Sequence, residues 1–184
     1  MSADQAALVT RARSGQREAF DVLATTVVDR LYAVARLVLR DSDRAEDAVQ
    51  ETLVRCWRDL PSLREVAKFD GWLRRLLMRA ITDEFRRARS HRASIAVLHF
   101  EPTTADASSD VVVREQLDTG FRRLSIDQRS IIVLRLYLGL SIEESALALG
   151  IPVGTAKSRL HYATEAMRLA LEAEARPSSR EVSA

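Results

Sequence analysis

The chain has 184 residues, a single cysteine and a formal net charge of +2. One cysteine excludes an internal disulfide and a cysteine-based zinc site, and the small net charge requires any affinity for nucleic acid to come from local patches. No segment approaches the roughly 20 apolar residues that span a bilayer, and the amino-terminal residues lack a signal peptide's apolar run. We therefore expect a cytoplasmic protein without membrane insertion.

Three helices are predicted in the first half of the chain. Apolar residues recur with the helical period between residues 17 and 39. A second helix is predicted to start at Asp43, which has a glutamate three residues later, and to end at Pro61. A third helix follows Asp70, which is placed to cap it. The apolar faces of these helices predict one compact helical bundle.

Two helices joined by a tight glycine turn are predicted between residues 141 and 168. Ser141 and Glu144 form a capping box at the start of the first helix, and Gly150 ends it. Small and polar residues near the start of the second helix are typical of a helix that enters a DNA major groove. They are Gly154, Thr155, Lys157, Ser158, Arg159, His161 and Tyr162. The alternative is an ordinary helical hairpin with a solvated polar face.

The fold class predicted from these elements is all-α, with two small helical domains joined by a flexible linker. The first domain is expected at residues 1–92 and the second at residues 111–172. Between them, residues 93–110 are rich in Ser, Ala, Thr, Pro and Asp and are expected to be the linker. Residues 173–184 are expected to form a disordered tail.

Opposite charges collect on two helices of the first domain. Asp41, Asp43, Glu46, Asp47 and Glu51 give the second helix an acidic surface, which is either simply solvated or a docking surface for a basic protein. On the third helix Arg75, Arg79, Thr82 and Arg86 share one stripe. Arginine side chains suit phosphate oxygens, so the stripe is either a solvated face or a track for a nucleic-acid backbone.

The loop before the arginine-rich helix combines with it into a candidate site for single-stranded nucleic acid. Leu63, Phe69 and the nearby Trp72 offer apolar surfaces beside the arginines, and that combination can hold unstacked bases. The protein is then expected to hold single strands in one domain and to recognise duplex DNA with the other.

An enzyme is the first competing interpretation. Cys56 is a possible nucleophile, but it lies on an apolar helix face beside Trp57, as a buried structural cysteine does. His91, His99 and His161 are too scattered for a recognisable metal site. We therefore expect no catalytic residue, no metal and no cofactor.

Three segments together resemble an extracytoplasmic-function sigma factor of bacterial RNA polymerase. They are DRAEDAVQETLVRCWRDLP, FDGWLRRLLMRAITDEFRRAR and LSIEESALALGIPVGTAKSRL, and the likeness runs from about Phe20 to Leu169. The resemblance implies a sigma region 2 domain at residues 1–92 and a sigma region 4 domain at residues 111–172. The implied function is to bind core polymerase and to direct promoter-specific initiation, with the polymerase supplying the chemistry.

The resemblance also implies roles for individual residues. The acidic helix would bind the β′ clamp helices through Asp47, Gln50, Glu51 and Leu53. The −10 element, melted to single strands, would be bound by Leu63, Phe69, Trp72, Arg75, Arg79, Thr82 and Arg86. The duplex −35 element would be bound by Arg135, Thr155, Lys157, Ser158, Arg159, His161 and Tyr162. The implied partners further include the polymerase β flap and an anti-sigma factor.

Two departures from the family pattern concern the −35 element. Tyr162 and Thr164 stand where basic residues are common in the family. Loss of two phosphate contacts lowers the slope of log affinity against log salt concentration by nearly two units. We therefore expect weak binding to the −35 element without core polymerase. A regulator of the LuxR type, which shares the helix-turn-helix and binds duplex DNA without polymerase, is the second competing interpretation.

Overall fold

The computed structural model describes residues 2–94 and 120–175. The expected tail falls almost wholly outside these ranges, as do most of the expected linker and the start of the second domain at residues 111–119. The described residues form helices and turns without a strand. The helices are α1 (Ala3–Arg13), α2 (Arg17–Leu39), α3 (Ser42–Asp59), α4 (Phe69–Ser94), α5 (Ile126–Ile132), α6 (Ile142–Leu149) and α7 (Val153–Ala175).

The three predicted helices of the first domain begin and end close to the predicted positions, whereas α1 was not predicted. α2 spans the predicted residues 17–39 and ends at Arg40, whose left-handed backbone has φ 58°. The predicted cap of α3 was wrong by two residues, because Asp41 and not Asp43 accepts a hydrogen bond from the backbone N–H of Arg44. α4 already begins at Phe69, so Asp70 lies within its first turn.

Two capping boxes are formed in the second domain, including the one predicted at Ser141. The Ser125 hydroxyl accepts from the Gln128 N–H at 3.2 Å, and the Ser141 hydroxyl accepts from the Glu144 N–H at 3.0 Å. Gly150 ends α6 in the left-handed region with φ 67°, as the turn of a helix-turn-helix requires. α5 continues through a π-helical turn, Val133–Tyr137, before Gly139 ends it.

α1 to α4 enclose the larger core. Its fully buried side chains include Leu23, Leu60, Phe69, Leu73 and Ile81. Such burial of Leu and Phe contributes about 1.5–3 kcal/mol per side chain, which makes this bundle the main source of stability. A smaller core holds α5, α6 and α7 together around Leu124, Ile131, Ala146, Ala156 and Ala163.

The two domains pack against each other. Val133, Leu134, Leu140 and Ala148 of the second domain belong to the same apolar cluster as the first domain's core, because α6 packs on α4 and the π-helical turn packs on α2. A cavity of about 130 Å³ remains between the domains, lined by apolar side chains from both and by Arg30, Asp70 and Arg74 of the first domain. The sequence pattern did not predict this contact, since Leu134 and Leu140 look like residues of a separate small core.

The guanidinium group of Arg129, close to this contact, lacks a hydrogen-bond partner for one buried nitrogen in the described part of the chain. The Nε of Arg129 is buried and has no hydrogen-bond partner within the residues that the structure describes. Burial, and then the neighbouring positive charge of Arg40, lower the pKa of Arg129 to about 10. A buried donor without a partner costs about 1–3 kcal/mol, so this arrangement weakens the packing of α5.

Candidate protein-binding and nucleic-acid-binding surfaces

The acidic surface of α3 combines free and restrained side chains. Asp47 and Gln50 are exposed. Glu51 is held by Arg55, with 2.6 Å between Arg55 Nε and Glu51 Oε1, and Leu53 packs on the core. The exposed side of the helix therefore offers the carboxylates of Glu46 and Asp47 and the amide of Gln50.

An apolar patch continues the acidic surface toward the end of α3. Val54 is 60% exposed and Trp57 is 39% exposed, and the Trp57 ring rests on Phe20 with 5.0 Å between ring centroids. Exposed aromatic side chains are enriched at protein-binding surfaces. Trp57 was predicted to lie on the apolar face of the helix, and its partial exposure was not predicted.

Arg55 links the acidic helix to the arginine-rich helix. Its Nη2 lies 3.0 Å from Oδ2 of Asp83 on α4, while its Nε binds Glu51. Burial alone would lower the pKa of Arg55, but the hydrogen bonds and charges of Asp83 and Glu51 raise it above its ordinary value. α3 and α4 are thus fixed relative to each other by a charged bridge that sequence spacing alone could not predict.

The arginine stripe of α4 lies at the surface as predicted from its spacing. Arg79 and Arg86 are exposed and Arg75 is half-buried. Within residues 2–94 and 120–175 none of these three forms an ion pair, so their charges are available to an external anion. Thr82 differs, because its hydroxyl donates to the Met78 carbonyl at 2.8 Å.

The loop before α4 does not present the expected apolar surface. Phe69 is 0% exposed and Leu63 is 7% exposed, because both side chains belong to the first domain's core. The expectation that these two offer open faces to bases was wrong, and of the three apolar residues only Trp72 is partly exposed. The loop's exposed side chains include the charged Arg64, Glu65 and Lys68.

α1 forms hydrogen bonds with both ends of this loop. Nη1 of Arg13 donates to the carbonyls of Leu63 at 3.1 Å and Arg64 at 3.3 Å. Gln5 donates to Asp70 at 3.2 Å, and Arg30 of α2 does so at 3.0 Å. Burial works to raise the pKa of Asp70, but the hydrogen bond and charge of Arg30 and the hydrogen bond of Gln5 outweigh it, so that pKa lies below 3.8.

α7 presents most of the predicted duplex-binding residues on one exposed surface. Ala156 and Ala163 are buried against α5 and α6, which turns the other side of the helix to solvent. The exposed predicted residues are Thr155, Lys157, Ser158, His161 and Tyr162. His161 and Tyr162 lie together, with 5.5 Å between ring centroids.

Two predicted duplex-binding arginines are engaged inside the second domain. Arg159 forms an ion pair with Asp127 at 3.3 Å, and Arg135 donates to the Leu140 carbonyl at 2.7 Å. Arg135 thereby fixes the residues that lead into α6. In this structure both side chains position elements of the domain, and contact with DNA remains a prediction for them.

Two families match the chain, one in each domain. Sigma-70 region 2 matches residues 23–91 and sigma-70 region 4 matches residues 114–167. The chain is 34% identical over 146 residues to the ECF RNA polymerase sigma factor SigM of Mycobacterium tuberculosis, covering 79% of this chain and 74% of SigM. It is 35% identical over 167 residues to SigL of the same organism, covering 86% of this chain and 94% of SigL.

Two solved structures share the fold. One is the sigma factor RpoE in complex with the anti-sigma factor NepR from Bartonella quintana, with a TM-score of 0.70 and 28% identity, covering 83% of this chain and 96% of that one. The other is CnrH in complex with the cytosolic domain of CnrY, with a TM-score of 0.65 and 26% identity, covering 93% and 99%.

The chain therefore belongs to the extracytoplasmic-function sigma factors of bacterial RNA polymerase. As a sigma factor it binds core polymerase and directs transcription initiation at promoter DNA. The match at residues 23–91 decides against a LuxR-type regulator, because the first domain is a sigma-70 region 2. No helix in the described part of the chain is long and apolar enough to cross a membrane.

Proposed function

We propose that α3 is the surface through which this sigma factor docks on the β′ clamp helices. The observation that carries the proposal is the exposure of Asp47 and Gln50 beside the apolar patch of Val54 and Trp57. A carboxylate and an exposed tryptophan on one side of the same helix suit a basic helical partner, with the aromatic ring as an anchor. Glu51 contributes through the bridge that Arg55 makes to α4.

The arginine stripe of α4 is proposed to bind the melted −10 element. Arg75, Arg79 and Arg86 carry charges that no carboxylate of the described residues neutralises, and phosphate oxygens fit guanidinium groups. Single-stranded DNA requires this positive track together with a surface for the bases. With Leu63 and Phe69 buried, that surface is proposed to be Trp72 and the exposed backbone and polar side chains of the loop.

The start of α7 is proposed to recognise the −35 element in the major groove. Lys157 and Ser158 suit phosphate and base contacts, and Thr155, His161 and Tyr162 complete the exposed surface. Thr164 donates to the carbonyls of Leu160 and His161, so its hydroxyl is already engaged. Because neither Tyr162 nor Thr164 is basic, binding to the −35 element is expected to be weak without core polymerase. The affinity of the wild-type chain alone is expected to depend only weakly on salt concentration.

Control by an anti-sigma factor is proposed from the arrangement of the two domains. RpoE and CnrH were solved bound to NepR and to CnrY, and the likeness to each covers both domains of this chain. The packing of α6 on α4 places the second domain against the −10-binding helix. Such an arrangement suits an inactive form that a separate inhibitor stabilises.

The protein itself is proposed to be no enzyme, to need no cofactor and to act in the cytoplasm with the polymerase. The β flap is the proposed partner of the second domain. In this proposal the polymerase supplies all the chemistry. Cys56 is not expected to act as a nucleophile, because burial, and then the charge of Asp59, raise the pKa of its thiol to about 12.

Run-off transcription with core polymerase and promoters from the same genome tests the proposal. Initiation should depend on the wild-type chain, and Asp47→Lys should abolish it by weakening core binding. Asp21→Lys, the same charge change at an exposed position of α2, is the matched control and should initiate normally. Full activity of Asp47→Lys would remove α3 from the interface, and no initiation by a folded wild-type chain would overturn the function.

A further inference from the structure

α1 lies outside the part of the chain that the sigma families match, which begins at residue 23. It is nevertheless well packed, because Val9 and Ala12 are buried in the first domain's core. The helix packs on α2 and reaches both short 3-10 turns of the loop, Leu60–Ser62 and Val66–Lys68. A helix that precedes the matched segment thus touches the proposed −10-binding loop.

Arg13 forms the tightest connection between α1 and the loop. One nitrogen, Nη1, donates to two successive carbonyls, those of Leu63 and Arg64. These carbonyls lie where the chain passes from the first 3-10 turn to the second, with Leu63 in an extended conformation. Hydrogen bonds from a charged donor are stronger than those from a neutral one. The two bonds from Arg13 therefore favour one of the many backbone conformations that an exposed loop can adopt.

A second connection fixes the far end of the loop. Gln5 of α1 and Arg30 of α2 both donate to Asp70 in the first turn of α4. The loop therefore runs from Leu60 into α4 with a contact from α1 at each end of residues 63–70. Its exposed side chains are mounted on a backbone that α1 holds in place.

We infer that Arg13 is a positioning residue for promoter opening, because it holds residues 63–68 in the shape that receives unpaired bases of the −10 element. The inference rests on the proposed function of the loop. Arg13 touches no DNA in this scheme, and binding of core polymerase through α3 does not depend on it. Replacing Arg13 therefore affects only the step in which the promoter duplex is melted.

The experiment compares holoenzymes carrying wild-type chain, Arg13→Ala, Arg13→Lys and a matched control. The control is Arg11→Ala, which removes the same charge from the same helix, because Arg11 is exposed and binds Gln16 but not the loop. Promoter opening is measured by fluorescence of a base analogue in the −10 element. The same promoter, unpaired in advance across the −10 element, serves as a template that needs no opening.

Arg13→Ala is expected to slow opening of the duplex promoter about tenfold, the effect of removing a charged hydrogen bond. Arg13→Lys should recover part of the rate, since its ammonium group still donates to a carbonyl. Arg11→Ala should open the promoter like wild type. On the premelted template all four proteins should initiate at similar rates, and core affinity should not change.

Two outcomes overturn the inference. One is an opening rate for Arg13→Ala equal to that of Arg11→Ala. The other is an equal loss on duplex and premelted templates with a lower melting temperature, which is the pattern of general destabilisation. Joint replacement of Arg64 and Lys68 by alanine separates the two proposals. If that loop variant opens promoters normally, the proposed function of the loop fails; if it is slow while Arg13→Ala is normal, only the role of Arg13 fails.

Discussion

The contact between the two domains predicts a large effect for one leucine and almost none for a near neighbour. Leu134 is 1% exposed and lines the interdomain cavity together with Leu31 and Leu77. Leu134→Ala removes apolar atoms beside an existing void of about 130 Å³. Leucine-to-alanine changes in cores cost about 2–5 kcal/mol, and we expect ~3 kcal/mol here.

Urea unfolding followed by circular dichroism measures this cost. With an m-value of ~2 kcal/mol/M, a decrease of ~3 kcal/mol moves the midpoint down by about 1.5 M. Leu136→Ala is the matched control, because Leu136 lies two residues away in the same π-helical turn and is 66% exposed. Its change should stay within about 0.5 kcal/mol. Equal midpoints for the two variants would refute the burial of Leu134 between the domains.

Three further predictions concern single residues. Cys56 should resist alkylation at pH 8 in the folded protein and react once urea unfolds it, because burial holds the pKa of its thiol at about 12; rapid alkylation of folded protein would contradict this. Asp70→Asn should cost ~1 kcal/mol at pH 7. Because the folded pKa of Asp70 lies below 3.8, this stability is present above 3.8 and disappears as pH falls through the folded value, so urea midpoints of variant and wild type should converge in acid. Glu144→Ala should lower the unfolding free energy by ~1 kcal/mol because the capping box is broken, and an unchanged midpoint would argue against that cap.

Local sequence signals predicted the elements of the fold well. The capping box at Ser141 and the left-handed Gly150 are formed by contacts within a few residues, which is why spacing alone reveals them. The start of α3 was misplaced because Asp41 and Asp43 are both residues that can cap a helix. Asp41 is the one with extended backbone that leaves its carboxylate free to accept from Arg44.

Long-range contacts were beyond such reasoning. The packing of the domains, the bridge from Arg55 to Asp83 and the hold of Arg13 on the loop each join residues at least 28 positions apart. An amphipathic pattern identifies a buried face but not its partner. The same limit explains Phe69, whose apolar side chain suited a stacking surface as well as a core until its neighbours were placed.

Some arginines in the described part of this nearly neutral chain pair with carboxylates on other helices and others do not, and the two groups differ in what their removal does to stability. Arg30, Arg55 and Arg159 are paired with carboxylates on other helices, so their removal leaves a partner unpaired and weakens the fold. Within the described residues Arg79 and Arg86 have no such partner, so their removal should leave stability almost unchanged. For single-stranded DNA, removing one phosphate-binding arginine should lower the salt slope by about 0.7. A net charge of +2 is therefore compatible with DNA binding, because carboxylates occupy the arginines that hold helices together and leave those of the α4 stripe to phosphate.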